Sequence, residues 1–161
     1  MNDDPRSVVR ESIAVEAPIA EAFRVFTEHC HAWWPHSYRL GSAERTDVVL
    51  QPRVGGLWYE RTADGIECGW GIVQVWQPPA RLALSWQIGR GFVPDADPRR
   101  ASRVDVTFTE SGADSTTVTV VHSQLQRHGD GWTDMAEAVS GERGWGGILR
   151  SYAEVVAGHC A

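Results

Sequence analysis

The chain has little cysteine: Cys30, Cys68 and Cys160 are odd in number and far apart. That excludes the disulfide framework of small secreted domains and suits reduced thiols. No apolar stretch approaches the roughly 20 residues of a membrane-spanning helix, and Met1-Asn2-Asp3-Asp4-Pro5 has neither the basic nor the apolar region of a secretory signal. We therefore expect no membrane partner and a cytoplasmic location. Positive charge is scarce as well. Fifteen Lys and Arg face 21 Asp and Glu, for a net charge of −6, and no basic run exceeds Arg99-Arg100, which argues against a nucleic-acid partner. There is no Gly-x-Ser-x-Gly elbow, no phosphate-cradling Gly-x-x-x-x-Gly-Lys loop and no dinucleotide fingerprint, so serine-hydrolase and nucleotide chemistry are disfavoured and no cofactor is called for. His29-Cys30-His31, with His36 nearby, lacks Cys-x-x-Cys or His-x-x-x-His spacing. We read these as surface residues at a helix end, with no metal site.

What the chain has in quantity is tryptophan, eight in 161 residues. Each indole can bury on the order of 200 Å² and brings one N–H that wants an acceptor. Trp33 and Trp34 close a helix-like segment ending at Pro35, Gly55-Gly56 launches Trp58 into a strand, and Gly144-Trp145 opens a late helix. The pattern points to an aromatic-lined pocket.

Val8 to Glu16 alternates, with Val9, Ile13 and Val15 on one side, and Ala17-Pro18 stops that strand where proline suits a first helical turn. Ile19, Ala22, Phe23 and Phe26 then predict a helix from about Ile19 to Glu28, followed by a short turn over His29–Trp34. From Val48 the period changes to two. It predicts strands at about Thr46–Pro52, Gly56–Thr62, Gly69–Trp76, Arg81–Gln87, Arg103–Glu110 and Thr116–Ser123, separated by turn clusters. Gly89 to Ser102 reads as a long loop, either a mobile lid or a plain connection, the plain one preferred. A weak helix over Trp132–Val139 precedes a strong one over Trp145–Val156, whose apolar stripe is Trp145, Ile148, Leu149, Tyr152 and Val156. The apolar strand rows Leu82/Leu84/Trp86, Val104/Val106/Phe108 and Val118/Val120/His122 offer that stripe a sheet to lie on.

This order, with Ala17-Pro18, Trp33-Trp34, Arg53-Val54-Gly55-Gly56-Leu57-Trp58, Gly71-Ile72-Val73, Pro78-Pro79-Ala80-Arg81-Leu82, Trp86, Val121-His122-Ser123 and Gly144-Trp145, resembles the family of heat-shock-protein ATPase activator homologues. That family belongs to the START-like, helix-grip (SRPBCC) superfamily. The resemblance spans about Val8 to Ala157. It implies an α+β fold, a curved antiparallel sheet of about seven strands wrapped around a long C-terminal helix, with two short helices after the first strand and a cavity between sheet and helix. Residues 8–157 would form one such domain behind a flexible N-terminus over 1–7. One departure is local: the family strand end usually reads His-Ser-Gly, whereas Gln124 follows His122-Ser123 here, which argues against a glycine-dependent bend at that point.

Parity places Trp58, Trp86 and Trp145 inward and Trp70 and Trp76 on the outer face, since the latter two alternate with Gly71, Val73 and Val75. Of Trp33 and Trp34, one is expected to cap the cavity mouth and the other to pack on the first helix, with core packing for both nearly as good. Trp132 cannot be oriented. The family's apolar or aromatic pattern on the third strand puts Glu60 inward beside Trp58. Because Glu is almost never buried without a partner, the preferred reading leaves it in water at a splayed sheet edge. His122 is read as satisfied locally near a strand end. Gly146 and Gly147 cost about 2 kcal/mol together within a helix, which calls for close approach to the sheet, room for a ligand, or a frayed start.

Three functions remain open. The first is a carrier or sensor for a small hydrophobic, aromatic or lipid-like molecule, held by Trp33, Trp34, Trp58, Trp86, His122, Trp145 and Leu149. The second is a cyclase, dehydratase or hydrolase with Glu60 and His122 as acid/base pair. The third is a chaperone- or protein-interaction module, supported by the family resemblance alone. Homodimer formation is possible with each.

Overall fold

Proline at position 18 separates the first two elements. β1 (Val9–Val15) ends before it, and Pro18 caps α1 (Ile19–Glu28), its carbonyl accepting from Ala22 N–H at 2.9 Å. The computed structural model describes residues 4–35, 44–89 and 93–160, with side chains to 158. Residues 1–3 of the expected N-terminal tail, His36 and the Cys160 side chain therefore lie outside the described residues. After α1, the chain forms α2 (Cys30–Trp33) and then β2 (Arg45–Leu50), β3 (Leu57–Thr62), β4 (Glu67–Gln77) and β5 (Arg81–Trp86). A two-residue ribbon, β6 (Ile88–Gly89) with β7 (Val93–Pro94), precedes β8 (Ser102–Gly112), β9 (Ser115–Ser123), α3 (Trp132–Val139) and α4 (Trp145–Cys160).

Seven strands form one curled antiparallel sheet in the order β1-β9-β8-β5-β4-β3-β2. Its register aligns the predicted apolar rows: Leu84 lies opposite Val104, which lies opposite His122, and His122 opposite Val9. All of Leu82, Leu84, Trp86, Val104, Val106, Phe108, Val118, Val120 and His122 are buried. The α4 stripe of Trp145, Ile148, Leu149, Tyr152 and Val156 is buried with them in one core. Tyr152 donates its hydroxyl to Ala22 O at 2.6 Å, tying α4 to α1 across that core.

β4 departs from simple alternation. The register shifts twice, once where Trp58 lies opposite Gly71 but Tyr59 opposite Gly69, and once where Leu84 lies opposite Val73 but Ala83 opposite Val75. Each shift adds one residue, and an added residue reverses which side of the strand follows. The inward positions therefore run Trp70, Val73, Trp76, at intervals of three. Trp70 is fully buried, and Trp76 packs edge-on against Phe23 at 5.2 Å, so the expected outer placement of both is corrected. Gly71 permits the first bulge, because a Cβ there would meet Ser85 O at 1.7 Å.

Three further expectations change. The bend after β9 is present without glycine: Gln124 itself adopts the left-handed conformation, φ 60° and ψ 31°. Residues 90–92 of the expected loop lie outside the described residues, and from Val93 onward the segment is a built connection and not a structureless loop. Asp97 caps a short turn over Pro98–Arg100, Asp95 pairs with Arg100 at 2.7 Å, and Arg127 donates to the carbonyls of Pro98 and Arg99. The glycines around Trp145 serve the turn that precedes α4, since a Cβ on Gly147 would meet Glu142 O at 2.0 Å and one on Gly144 would meet the Val139 carbonyl carbon at the same distance.

A non-glycine residue in the left-handed region costs about 1–2 kcal/mol, and glycine gives back roughly half of that in unfolded-chain entropy. Gln124→Gly is accordingly predicted to stabilise the protein by up to about 1 kcal/mol, a rise in Tm of ~2–4 °C for a chain of this size. Calorimetry showing a fall in Tm would mean that the Gln124 side chain, which accepts from Arg127 at 3.1 Å, outweighs the backbone strain.

Candidate functional site

Five indoles meet between the concave face of the sheet and α4. Trp34 is their hub, with its ring 5.2 Å from Trp58, 5.2 Å from Trp70, 5.9 Å from Trp145 and 6.3 Å from Trp86, in edge-on or tilted arrangements that suit the aromatic quadrupole. Trp33 turns the other way, onto Phe26 at 4.6 Å and Tyr152 at 5.6 Å, and donates its N–H to Val25 O. So Trp33 packs on the first helix, as one of the two was expected to do. Trp34 does not cap a mouth; it is 2 % exposed. Arg45, itself buried, donates to the carbonyls of Trp34 and Pro35 at 2.8 Å each and fixes the end of α2 against β2. Cys30 is buried as well, correcting its reading as a surface residue, and burial pushes its thiol up to about 12. Trp132 packs partly buried against the core, under the Arg6 guanidinium at 5.8 Å.

Two polar groups lie within this aromatic interior. Glu60 points inward beside Trp58 and is fully buried, accepting the Trp70 N–H at 3.0 Å. The expectation that it sits in water is corrected, and the reason is the β4 bulge: only with Trp70 turned inward does the carboxylate gain that donor. His122 is also fully buried. Trp145 donates its N–H to His122 Nδ1 at 3.0 Å, and His122 Nε2 lies 2.7 Å from Ser102 Oγ. Burial, with the positive field of His128 as a lesser cause, holds the imidazole down at about 3, so it is neutral at ordinary pH. Its partners are Trp145 and Ser102, not Glu60, from which the rings of Trp70 and Trp86 separate it.

Ser102 and His128 were missed in the sequence. Ser102 was findable, because counting back two residues from the inward row Val104/Val106/Phe108 reaches it. His128 follows the irregular turn after β9, where no period applies, and its Nε2 lies 2.7 Å from the same Ser102 oxygen. Among the described residues, Trp86 Nε1 and His128 Nδ1 are buried with no hydrogen-bond partner. Leu149, on α4, is buried in the same core.

Among the described residues, a void of several hundred Å³ lies away from the aromatic cluster. A cleft of about 720 Å³ opens between α1 and the β2–β4 side of the sheet, lined by Phe23, Thr27, Val48, Leu50 and Trp76, with Arg24, Glu28 and Asp47 also on its wall. None of the expected ligand-binding residues lines it. Its floor residues Phe23, Val48 and Leu50 nonetheless belong to the same continuous core as Trp34. The chain contains no lysine, so its side chains offer no amine for imine chemistry.

The model described as "Activator of Hsp90 ATPase homolog 1-like protein" matches residues 16–157. Among solved structures, the chain is 38% identical to the anthrahydroquino-gamma-pyrone synthase Txn09, covering 94% of this chain and 99% of that one, with a TM-score of 0.67. It is 26% identical to CalC, a self-sacrificing resistance protein from Micromonospora echinospora, over 96% of each chain, with the same TM-score of 0.67. The Aha1 dimer from Colwellia psychrerythraea is 15% identical over 92% of this chain and 95% of that chain, at a TM-score of 0.59, a likeness of fold alone. No curated protein matches the chain.

Two predictions follow from the buried polar groups. Trp70→Phe keeps a ring but removes the indole donor to Glu60, and should cost about 1–3 kcal/mol in urea unfolding; a loss below about 0.5 kcal/mol, the scatter of such measurements, would show that this hydrogen bond is dispensable. For His122 the folded value of about 3 lies below the ordinary 6.5. Above pH 6.5 neither state binds the proton, whereas below it only the unfolded chain does. Stability is thus predicted to fall by about 1.4 kcal/mol per pH unit as pH drops from 6.5 towards 3. Urea titrations between pH 7.5 and 5 should show that slope, and His122→Asn should flatten it.

Proposed function

The chain belongs to the activator of Hsp90 ATPase homologue 1-like family, and from that premise we propose that it binds a planar, oxygen-bearing polycyclic molecule in its tryptophan-lined interior and promotes a ring closure on it. The observation that carries this reading is the presence of Glu60, His122 and an unpartnered Trp86 N–H within an otherwise aromatic core. Buried polar groups cost stability in a core that serves only packing, and departures of this kind concentrate at functional sites. Tryptophan faces suit a flat ring system. The Trp86 N–H suits a quinone or ketone oxygen, which would give it the acceptor it lacks.

Likeness to Txn09 at 38% identity supports the choice of ligand class and of reaction. Closing a pyrone ring requires that an oxygen nucleophile lose a proton while a carbonyl oxygen gains electron density. Neutral His122 can serve as base, and a buried indole N–H can stabilise the developing charge on the carbonyl. Glu60 and His122 do not touch, so they would act at different points of the bound molecule and not as a pair. Because the five indoles are in contact, a ligand must displace one of them. Trp34 is the candidate, since its ring touches the other four, and the cleft beside α1 offers the way in.

A second reading, binding without chemistry, is favoured by the low proton affinity of His122 and by the likeness to the resistance protein CalC. Both readings require the same interior site. Titration with 1,8-dihydroxyanthraquinone, followed by tryptophan quenching, should saturate with a dissociation constant on the order of micromolar, and a 100-fold excess over that constant should add about 2.7 kcal/mol of stability. Trp86→Phe should weaken binding roughly tenfold by removing one hydrogen bond to the ligand. Quenching that rises linearly with no thermal shift would sink both readings.

A further inference from the structure

The hydrogen bonds around His122 have only one consistent direction. Trp145 Nε1 can only donate, so His122 Nδ1 must accept. A neutral imidazole carries its single proton on the other nitrogen, which makes His122 Nε2–H the donor to Ser102 Oγ. The Ser102 hydroxyl, having accepted there, has its own proton free to give, and His128 Nε2 lies 2.7 Å away. With the Ser102 proton given to His128 Nε2, His128 carries its own proton on Nδ1, a buried nitrogen without a partner among the described residues. The chain of donors thus runs from the aromatic interior outward, Trp145 to His122 to Ser102 to His128. Burial lowers the proton affinity of His128, which is less deeply buried than His122; at the outer end of the chain of donors stand Asp95, whose negative field opposes that lowering, and Arg127, whose field adds to it, with Asp95 itself paired with Arg100.

We infer that Ser102 and His128 form a proton relay that drains His122, carrying a proton from a molecule bound in the aromatic interior to the Asp95 side of the protein. This rests on the interior ligand site proposed above. When a phenolic hydroxyl takes the Trp145 N–H onto its oxygen, His122 Nδ1 is released and accepts the phenolic proton. His122 Nε2–H then passes to Ser102 Oγ as the Ser102 proton passes to His128 Nε2. One O–H bond breaks on the ligand, one N–H bond forms at His128, and the bonds between them exchange one for one. The negative charge stays on the ligand oxygen and the positive charge settles on His128. Such a relay answers a difficulty of the site, in that a fully buried imidazole cannot retain a proton it has taken. Ser102 and His128 are positioning and relay residues and touch no ligand.

The test has two parts. Nitrogen-15 spectra of the histidine rings in the ligand-free protein at pH 7 should show the Nε2–H tautomer at His122 and the Nδ1–H tautomer at His128. Ser102→Ala should leave the His122 tautomer unchanged, because Trp145 sets it, while releasing His128 to a mixture. Either wild-type tautomer reversed would overturn the relay, whatever binds. The second part follows the ionisation of 1,8-dihydroxyanthraquinone in the bound state by its visible absorbance against pH. Ser102→Ala and His128→Gln should bind the probe as the parent does yet raise the pH of its ionisation by roughly one unit, and Ser102→Thr should restore it. Unchanged ionisation in both blocked variants would overturn the relay while leaving the binding site intact. A probe that does not bind would overturn the interior site, and the tautomers would then decide the relay on their own.

Discussion

Trp145 opens the last helix and donates its indole N–H to His122 on β9. That one contact joins the helix to the innermost row of the sheet at a point where neither partner reaches water. Because an indole nitrogen can only donate, it settles the tautomer of neutral His122, and the tautomer makes His122 Nε2–H the donor to Ser102. The stripe of Ile148, Leu149, Tyr152 and Val156 lies along the same helix, so aligning Trp145 on His122 also sets the depth at which α4 rests in the sheet.

Around that contact the interior is assembled from parts that come from distant stretches of chain. Trp34 follows the last residue of α2, held by two hydrogen bonds from Arg45 to the carbonyls of Trp34 and Pro35. Trp58 comes from β3, Trp86 from β5 and Trp70 from β4. The last of these is present only because β4 carries two added residues, which turn Trp70, Val73 and Trp76 to one side at intervals of three. The same turn supplies one N–H donor to the fully buried Glu60. A structural irregularity in one strand thus shapes both the aromatic content of the core and the hydrogen bonding of a carboxylate within it.

Much of the fold was legible because its signals are local. The helix from Ile19 to Glu28, the helix from Trp132 to Val139 and the inward rows of β5, β8 and β9 follow from spacing alone, since regular elements repeat their orientation every 3.6 or 2 residues. Ser102 was within reach of the same rule, two places before Val104. What was not legible depended on breaks in period. Plain alternation sends Trp70 and Trp76 outward, because a bulge cannot be seen in residue types, and it offers Glu60 no evident partner, so that water is the expected place for its carboxylate. Gln124 keeps a bend that glycine normally makes, as backbone geometry imposed by the strands on either side overrides local preference.

The sequence by itself determined the order of elements, antiparallel hairpins with a helix to cover them, and the inward placement of Trp58, Trp86, His122, Trp145 and Leu149, while the sheet curved around that helix came from the family resemblance. Hydrophobic periodicity is enough for the former, because burying one face of each element is the main driving force of folding. Tertiary structure alone decided that Trp34 and Trp70 complete the aromatic interior, that Glu60 and His122 are separated by indoles, and that His122 continues through Ser102 to His128. Hydrogen-bond partners and strand bulges are set by where distant segments meet, and no spacing along a chain encodes that meeting.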